Sequence, residues 1–288
     1  MPLKLTVFPP DLPGRQVVLS EGCRYLLGRS PEADVVVADG RVSGRHLLID
    51  GRSGSWRISD QASKNGTRIA GRPLDSTTLE GPVWLNIGGV PAFAEPQSRQ
   101  ATRADEQSQE RRRAAAATLN QGLHGDLAAR ILLKRCLDAL LQLSGCERAC
   151  IWMSGAAMSG NTMSGDTGAL RPLMLRGAAR PRPSRSVIET VAATGKHCIA
   201  SDTAGAEAEL QRGSIERGGI RALVVLPLIT RGRCLGVLYA DSLSPGKLFT
   251  ELDIDLLSGL AAQTSVALAV SRLRGELDGL AASAPLHT

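Results

Sequence analysis

One internal segment, residues 97–125, divides this chain of 288 residues into two parts. It reads QSRQATRADEQSQERRRAAAATLNQGLHG and consists of polar, charged and alanine residues, with almost no large apolar side chains. A segment of this composition cannot bury a core of its own, so it is typical of a linker. The stretch EQSQERRRAAAATL predicts that the linker is partly helical. The chain is therefore expected to fold as two domains, for which its length is sufficient.

Residues 1–96 form a succession of short apolar segments separated by glycine, proline and Asp/Ser clusters. The segments predicted as strands are LKLTV, QVVLS, RYLLG, DVVV, HLLID, SWRIS, GTRIA, VWLNI and PAFAE. Many short strands at this spacing predict an all-β sandwich or barrel.

Residues 126–275 instead alternate helices with strands, and residues 276–288 are predicted to be a helix end and a flexible tail. The predicted order is the helix DLAARILLKRCLDALLQL, the strands RACIWMS and LRPLMLRG, the helix SVIETVAATG, the strand HCIASD, and a hairpin of RALVVLPLI and RCLGVLYADS. A long helix, capped by Thr250 or Glu251, follows the hairpin. Its apolar stripe is predicted to contain Leu256, Leu260, Ala267, Val270, Leu273, Leu277 and Leu280. Helices around antiparallel strands make an α+β domain.

Charge and composition narrow the class of partner. The net charge of +6 is compatible with nucleic acid, a membrane surface or acidic protein partners. An aromatic content of 3% weighs against nucleic-acid binding by base stacking. The N-terminus MPLKLTVFPP has no apolar secretion segment, and no run approaches the ~18 apolar residues of a membrane span. The six cysteines are scattered, as is typical of a reducing compartment, so we expect a cytoplasmic protein that does not enter a membrane.

Catalytic signatures are not found in the sequence. The four histidines lie far apart and form no Ser/His/Asp pattern, and there is no phosphate-binding glycine loop, kinase loop or zinc signature. We therefore predict no catalytic residue, no metal ligand and no cofactor, and we interpret the chain as a binding protein.

The densest group of hydrogen-bond donors lies in two neighbouring segments, LLGRS and GRVSGRH. Arg29, Arg41, Arg45 and His46 surround one serine, Ser43, in a short length of chain. An arginine side chain offers a planar fork of donors that suits the paired oxygens of a phosphate, and a serine hydroxyl adds a further donor.

A third segment, SKNGT, adds Lys64 and Asn65 at a tight turn, because Gly66 tolerates a positive φ angle. Three loops at one end of a sandwich, each with a donor that suits phosphate, predict a basic cup that binds an anion and performs no chemistry on it.

Five segments in this order and spacing resemble the forkhead-associated (FHA) domains: GRS (28–30), RVSGRH (41–46), SWRISD (55–60), SKNGT (63–67) and IAGRPL (69–74). The resemblance implies an eleven-stranded β-sandwich that binds phosphothreonine peptides through its apical loops. It implies that Arg29 and Ser43 grip the phosphate, that Lys64 faces it where the family often has Ser or Thr, and that Asn65 holds the peptide backbone.

Further residues take their roles from the same resemblance. His46 would brace the loops from inside, and Gly28 and Gly66 would be structural. Arg41, beside the cup, would favour Asp at the third residue after the phosphothreonine. Gly44 replaces an Arg or Asn that commonly follows the phosphate-binding serine, so we expect a modest affinity.

The linker contains a candidate phosphorylation site. In RQATRAD, Thr102 has Arg99 three residues before it and Asp105 three residues after it, a layout that basophilic kinases accept. One hypothesis is that phosphorylated Thr102 binds the FHA cup of its own or a neighbouring chain. The alternative is a chance occurrence in a polar segment.

The second domain resembles the GAF domains, most clearly in RALVVLPLITRGRCLGVLYADSLSPGKLFTELDIDLLSGLAAQTSVALAVSRL, residues 221–273. Members of that family bind cyclic nucleotides, bilins, haem or small metabolites, but the cyclic-nucleotide motif does not occur here and no ligand residue is assigned. Cys198, beside His197, is interpreted as a core residue rather than a bilin attachment site. GAF domains usually dimerise through their first and last helices, so a homodimer is expected.

The combined interpretation is an adaptor or regulator that binds a phosphothreonine-containing protein in a Ser/Thr-kinase pathway, with the GAF domain supplying dimerisation or small-molecule sensing. Two alternatives remain open: a GAF-based ligand sensor in which the FHA domain is a scaffold, and a transcription-linked regulator that acts in trans.

Overall fold

The structure is a computed structural model. It describes residues 1–10, 12–52, 54–123, 129–154, 170–177, 185–202 and 219–283, with backbone only for residues 129 and 272–283. The chain divides into two compact units. The first contains residues 1–111, 200–217 and 244–252; the second contains residues 112–199, 218–243 and 253–288.

The N-terminal part is a β-sandwich, as the sequence predicts. Its strands are β1 (Leu3–Val7), β2 (Arg15–Leu19), β3 (Arg24–Gly28), β4 (Val35–Val36), β5 (Leu47–Asp50), β6 (Trp56–Asp60), β7 (Thr67–Ile69), β8 (Arg72–Leu74), β9 (Ser76–Leu79), β10 (Val83–Ile87) and β11 (Val90–Pro96). One sheet has the order β2-β1-β11-β10-β7-β8, and the other has the order β4-β3-β5-β6-β9. Strands β3 and β4 are parallel to each other.

Alternation of side chains along these strands builds the core between the two sheets. Leu3 and Leu5 of β1 are fully buried, and so are Leu47 and Ile49 of β5. Each of these pairs is two residues apart, which places its side chains on one face of a strand. Strands β3 and β5 pair antiparallel, with Leu27 opposite Leu47, so the end of β3 lies next to the start of β5.

The C-terminal part is an α+β domain with an antiparallel sheet, which confirms the predicted fold class. Its elements are α2 (Ala129–Ser144), β12 (Arg148–Ser154), β13 (Leu170–Gly177), α3 (Arg185–Thr194), β14 (Cys198–Ala200), β15 (Ala222–Thr230), β16 (Arg233–Ser242) and α4 (Glu251–Ser283). The sheet has the order β13-β12-β16-β15-β14. Helix α2 packs on β12 and β13, and α3 packs on β15 and β16.

Helix α1 (Arg99–Gln121) occupies most of the predicted linker. The Ser98 hydroxyl caps it by accepting a hydrogen bond of 3.1 Å from the Ala101 N–H. The boundary between the two units falls inside this helix, after Arg111. The domain boundaries at 96, 125 and 275 remain predictions.

The last helix buries a different face from the predicted apolar stripe. Leu260 is buried, but the other large buried apolar residues are Ile254 and Leu257, whereas Leu256 is half-buried and Val270 is exposed. The buried face also contains hydroxyl groups that donate back to the helix's own carbonyls, and sequence hydrophobicity does not reveal these. The side chains of Leu273, Leu277 and Leu280 lie outside the described residues.

Within α4, the segment Glu251–Ser271 is long and apolar enough to cross a membrane by length and composition. This differs from the expectation that no such run exists. A helix from the core of a globular domain has the same length and composition, and Leu257 and Leu260 of this segment are fully buried in the fold.

Candidate phosphate-binding site

Residues 28–30, 41–46 and 63–67, which we call the apical loops, meet at one end of the sandwich. The first two loops are joined by backbone hydrogen bonds, 2.9 Å from Arg29 N–H to the Ser43 carbonyl and 3.1 Å from Ser30 N–H to the Gly44 carbonyl. A Cβ atom on Gly28 would lie 2.0 Å from the Gly44 carbonyl oxygen. The close approach of these loops therefore requires glycine at position 28.

His46 connects the second and third apical loops from inside. Its fully buried ring accepts a hydrogen bond of 3.0 Å at Nδ1 from the Ser43 N–H, and its Nε2 lies 3.3 Å from the Gly66 carbonyl oxygen. Because Nδ1 is an acceptor, the proton of the neutral ring is on Nε2 and is donated to Gly66. Burial lowers the pKa of His46, and the nearby Asp60 carboxylate and Gly66 carbonyl offset this only in part. The ring is therefore neutral and rigidly placed.

The hydroxyl of Ser43 is oriented by the third loop. The backbone N–H of Lys64 donates to Ser43 Oγ over 3.0 Å. Because the oxygen acts as an acceptor there, its own proton remains available for an anion. The Asn65 side chain is fixed in a similar way, since its Nδ2 donates to the Arg41 carbonyl oxygen over 2.7 Å.

Asp60 shapes the third loop, and sequence reasoning missed it. Its carboxylate accepts hydrogen bonds from Ser63 N–H (2.7 Å), Ser63 Oγ (2.8 Å) and Thr67 Oγ1 (2.6 Å). Burial favours a raised pKa for Asp60, but the hydrogen bonds from Thr67 and Ser63 outweigh it and lower the pKa. The available signal was an Asp at a strand end followed by serine three residues later, which is typical of a side-chain-capped turn.

Three exposed cations belong to the apical loops: Arg29, Arg45 and Lys64. Among the described residues, none of these three side chains has a carboxylate partner. Arg41 differs, because its Nε and Nη2 atoms donate to the two oxygens of the Asp39 carboxylate over 3.0 and 2.9 Å. The hydrogen bond to Asp39 raises the pKa of Arg41, and the same contact lowers the pKa of Asp39.

Thr102, the candidate phosphorylation site, lies in the first turn of α1. Its hydroxyl donates to the Ser98 carbonyl over 3.2 Å. The flanking residues are also engaged: Arg99 donates to Glu21 over 3.1 Å, and Asp105 pairs with Lys4. The segment is thus helical in this structure.

In the GAF part, the structure shows a buried polar network that sequence reasoning missed. Arg148 donates to both oxygens of Asp241 over 2.6 and 2.7 Å, and the Tyr239 hydroxyl donates to the same carboxylate over 2.8 Å. Burial and the Asp241 charge raise the pKa of Tyr239. Cys198 is half-buried, and burial raises the pKa of its thiol.

The described residues contain no group of three or more His, Cys, Asp or Glu side chains that is suited to a metal ion.

Comparison with known families agrees with this architecture. Residues 25–89 match the FHA domain model, and residues 130–268 match the GAF domain model. The chain therefore has an FHA domain followed by a GAF domain.

Two curated relatives resemble the FHA part of this chain. The oxoglutarate dehydrogenase inhibitor of Corynebacterium diphtheriae is 35% identical over 92 residues, which cover 28% of this chain and 64% of the relative. The glycogen accumulation regulator GarA of Mycolicibacterium smegmatis is 34% identical over 74 residues, which cover 23% of this chain and 47% of the relative. The chain thus spans less than two thirds of either relative.

Among solved structures, the FHA domain of the CT664 protein from Chlamydia trachomatis is 28% identical, with a TM-score of 0.32. The match covers 34% of this chain and all of that domain.

Proposed function

We propose that this chain is a phosphothreonine-dependent adaptor or regulator in Ser/Thr-kinase signalling, and that it binds its partner without altering it chemically. The observation that supports this most strongly is the placement of Ser43. Its loop is joined to that of Arg29 by backbone hydrogen bonds, and its hydroxyl is oriented by the Lys64 N–H, while the Arg29 and Lys64 side chains have no carboxylate partner in the described part of the chain.

This arrangement suits a phosphoryl group, which carries ~2 negative charges at neutral pH and has three strong acceptor oxygens. Arg29 supplies a guanidinium fork, Ser43 supplies a hydroxyl donor, and Lys64 supplies a point charge. The second N–H and the carbonyl oxygen of Asn65 are left for the peptide backbone. Gly44 supplies no side-chain donor, so we expect a modest affinity.

The relatives support a regulatory role, since one is named as an enzyme inhibitor and the other as a regulator of glycogen accumulation. By analogy, the partner proposed for this chain is a cytoplasmic protein phosphorylated on threonine by a Ser/Thr kinase.

For the GAF domain we propose dimerisation, with small-molecule sensing as the alternative contribution. Helix α4 exposes Val266 and Val270, and α2 exposes Ile131, with exposed fractions of 54%, 42% and 48%. Apolar side chains exposed on the first and last helices of the domain suit a helical interface with a second copy.

An oriented peptide library tests the phosphothreonine proposal. The full chain is expected to retain peptides with a central phosphothreonine and to release the same library with unmodified threonine. A library with phosphoserine serves as the control for phosphate charge alone. Equal retention of modified and unmodified peptides would contradict the proposal.

A further inference from the structure

Asp39, Gly40 and Arg41 form a compact clasp beside the proposed site. The Asp39 carboxylate accepts three hydrogen bonds from Arg41: from its backbone N–H (2.9 Å), its Nε (3.0 Å) and its Nη2 (2.9 Å). The Asp39 side chain is 14% exposed and the Arg41 side chain is 35% exposed, so the pair is partly shielded from water. Such a bidentate, charge-assisted contact fixes the guanidinium in one orientation.

The same clasp occurs a second time in the domain. Asp50, Gly51 and Arg52 repeat the sequence, and the Asp50 carboxylate accepts from the backbone N–H (3.1 Å), Nε (3.0 Å) and Nη2 (2.8 Å) of Arg52. This second copy lies at the far end of β5, whereas the apical loops lie at its start. The clasp is therefore a local property of the Asp-Gly-Arg sequence and needs no peptide for its formation.

Arg41 is nevertheless built into the peptide-binding site. Its carbonyl oxygen accepts the hydrogen bond from Asn65, the residue proposed to hold the peptide backbone. A Cβ atom on Gly88 would lie only 2.6 Å from that oxygen, so the Arg41 backbone has little room to move. The Nε–Nη2 edge of its guanidinium, however, faces the Asp39 carboxylate.

An acidic peptide residue that approached the Nε–Nη2 edge would have to compete with a carboxylate that is already tethered two residues away. A tethered partner has a high effective concentration, so an intermolecular carboxylate gains little by displacing it. A cation that is already paired also adds less to the positive potential of the site.

We propose that Asp39 masks Arg41, so that the site binds phosphothreonine peptides with no preference for an acidic residue at the third position after the phosphothreonine. The Asp39–Arg41 pair therefore determines which residue the site prefers at that position, whereas the sequence predicts that Arg41 alone selects Asp. This inference rests on the proposed phosphothreonine-binding function.

The test compares two phosphothreonine peptides that differ only at this third position, with Asp or Ala, titrated into the full chain by calorimetry. The wild-type protein is expected to bind both with nearly the same Kd. The variant Asp39→Asn retains an acceptor for the Arg41 N–H but frees the guanidinium, and it should favour the Asp peptide by about three- to fivefold.

Two further variants make the result specific. Asp50→Asn causes the same charge change and opens the equivalent clasp at the far end of β5, together with the contact that Arg24 makes to the same carboxylate. Its affinity ratio should stay at the wild-type value. In the double variant Asp39→Asn, Arg41→Gln, the gained preference should disappear.

The possible results distinguish a failure of this inference from a failure of the proposed phosphothreonine-binding function. A wild-type protein that binds phosphothreonine peptides and already prefers Asp overturns the masking alone. A variant Asp39→Asn that weakens both peptides equally also overturns it, because the clasp would then be merely structural. A wild-type protein that does not distinguish phosphorylated from plain peptides overturns both.

Discussion

His46 shows how one buried residue can organise the loops of the proposed binding site. It is fully buried, it accepts a hydrogen bond from the Ser43 N–H, and it lies within 3.3 Å of the Gly66 carbonyl oxygen. The positions of Ser43, which is proposed to bind the phosphate, and of the Lys64–Asn65 turn therefore depend on a ring that must stay neutral.

This neutrality predicts a pH dependence of stability. Burial lowers the pKa of His46, so below about pH 6.5 the unfolded chain binds a proton that the folded chain does not. The free energy of unfolding of the FHA domain should fall as the pH drops, by at most about 1.4 kcal/mol per pH unit, until the pH passes the folded-state pKa. Asp60 acts in a separate range, because its lowered pKa contributes stability that is lost only below about pH 3.9.

Urea unfolding at about pH 7.5 and about pH 5.5, followed by tryptophan fluorescence, measures this effect. The variant His46→Gln should be less stable at the higher pH by about 1–3 kcal/mol and should lose this part of the pH dependence. A pH dependence that is the same in the variant and in the wild type would show that His46 is not its source.

Single residues also show what the sequence could and could not predict. The order and spacing of the five FHA-like segments predicted that the loops of Arg29, Ser43 and Asn65 converge. The pairing of Arg41 with Asp39 escaped prediction because it depends on the backbone turn at Gly40. The pairing of Arg148 with Asp241 escaped because the partners are far apart in the sequence and meet only through strand register.

Elements were predicted best where side chains alternate strongly. The bounds predicted for β1, β10 and β12 agree with the structure, because apolar residues at every second position, or a continuous apolar run, identify a buried strand. Strands β8 and β9 were missed, since they are short and mostly exposed. The buried face of α4 was misjudged because hydroxyl side chains help to form it.

Gly28, at the end of β3, allows a prediction about the close approach of the first two apical loops. In the variant Gly28→Ala, the new methyl group would lie 2.0 Å from the Gly44 carbonyl oxygen and would separate the first two apical loops. We expect a loss of stability of about 1–3 kcal/mol and a weaker phosphopeptide affinity. Thermal unfolding and peptide titration measure the two effects.

Gly81→Ala is the matched control, because no heavy atom lies within 4 Å of the place that a methyl group on Gly81 would take. Equal stability and affinity for the two variants would contradict the importance of the close approach at Gly28.

For the molecule as a whole, the proposed dimer rests on the exposed apolar side chains of α4 and α2. The variant Val266→Glu should shift a dimer towards monomer with little change in thermal stability, because Val266 is 54% exposed within the chain. Sedimentation equilibrium measures the mass. Val18→Glu introduces the same charge at a similarly exposed valine of β2, and it should leave the mass unchanged. A wild-type protein that stays monomeric at high concentration would contradict the proposal.

The central claim is that the apical loops bind phosphothreonine, and calorimetric titration of the full chain with matched phosphorylated and plain peptides tests it most directly. The wild-type protein should bind only the phosphorylated peptide. Arg29→Ala should lose one or two charge-assisted hydrogen bonds, at about 1.5–3 kcal/mol each, and Arg72→Ala, an exposed arginine on β8, should change nothing. Binding that is the same for both peptides, or unaffected by Arg29→Ala, would contradict the account.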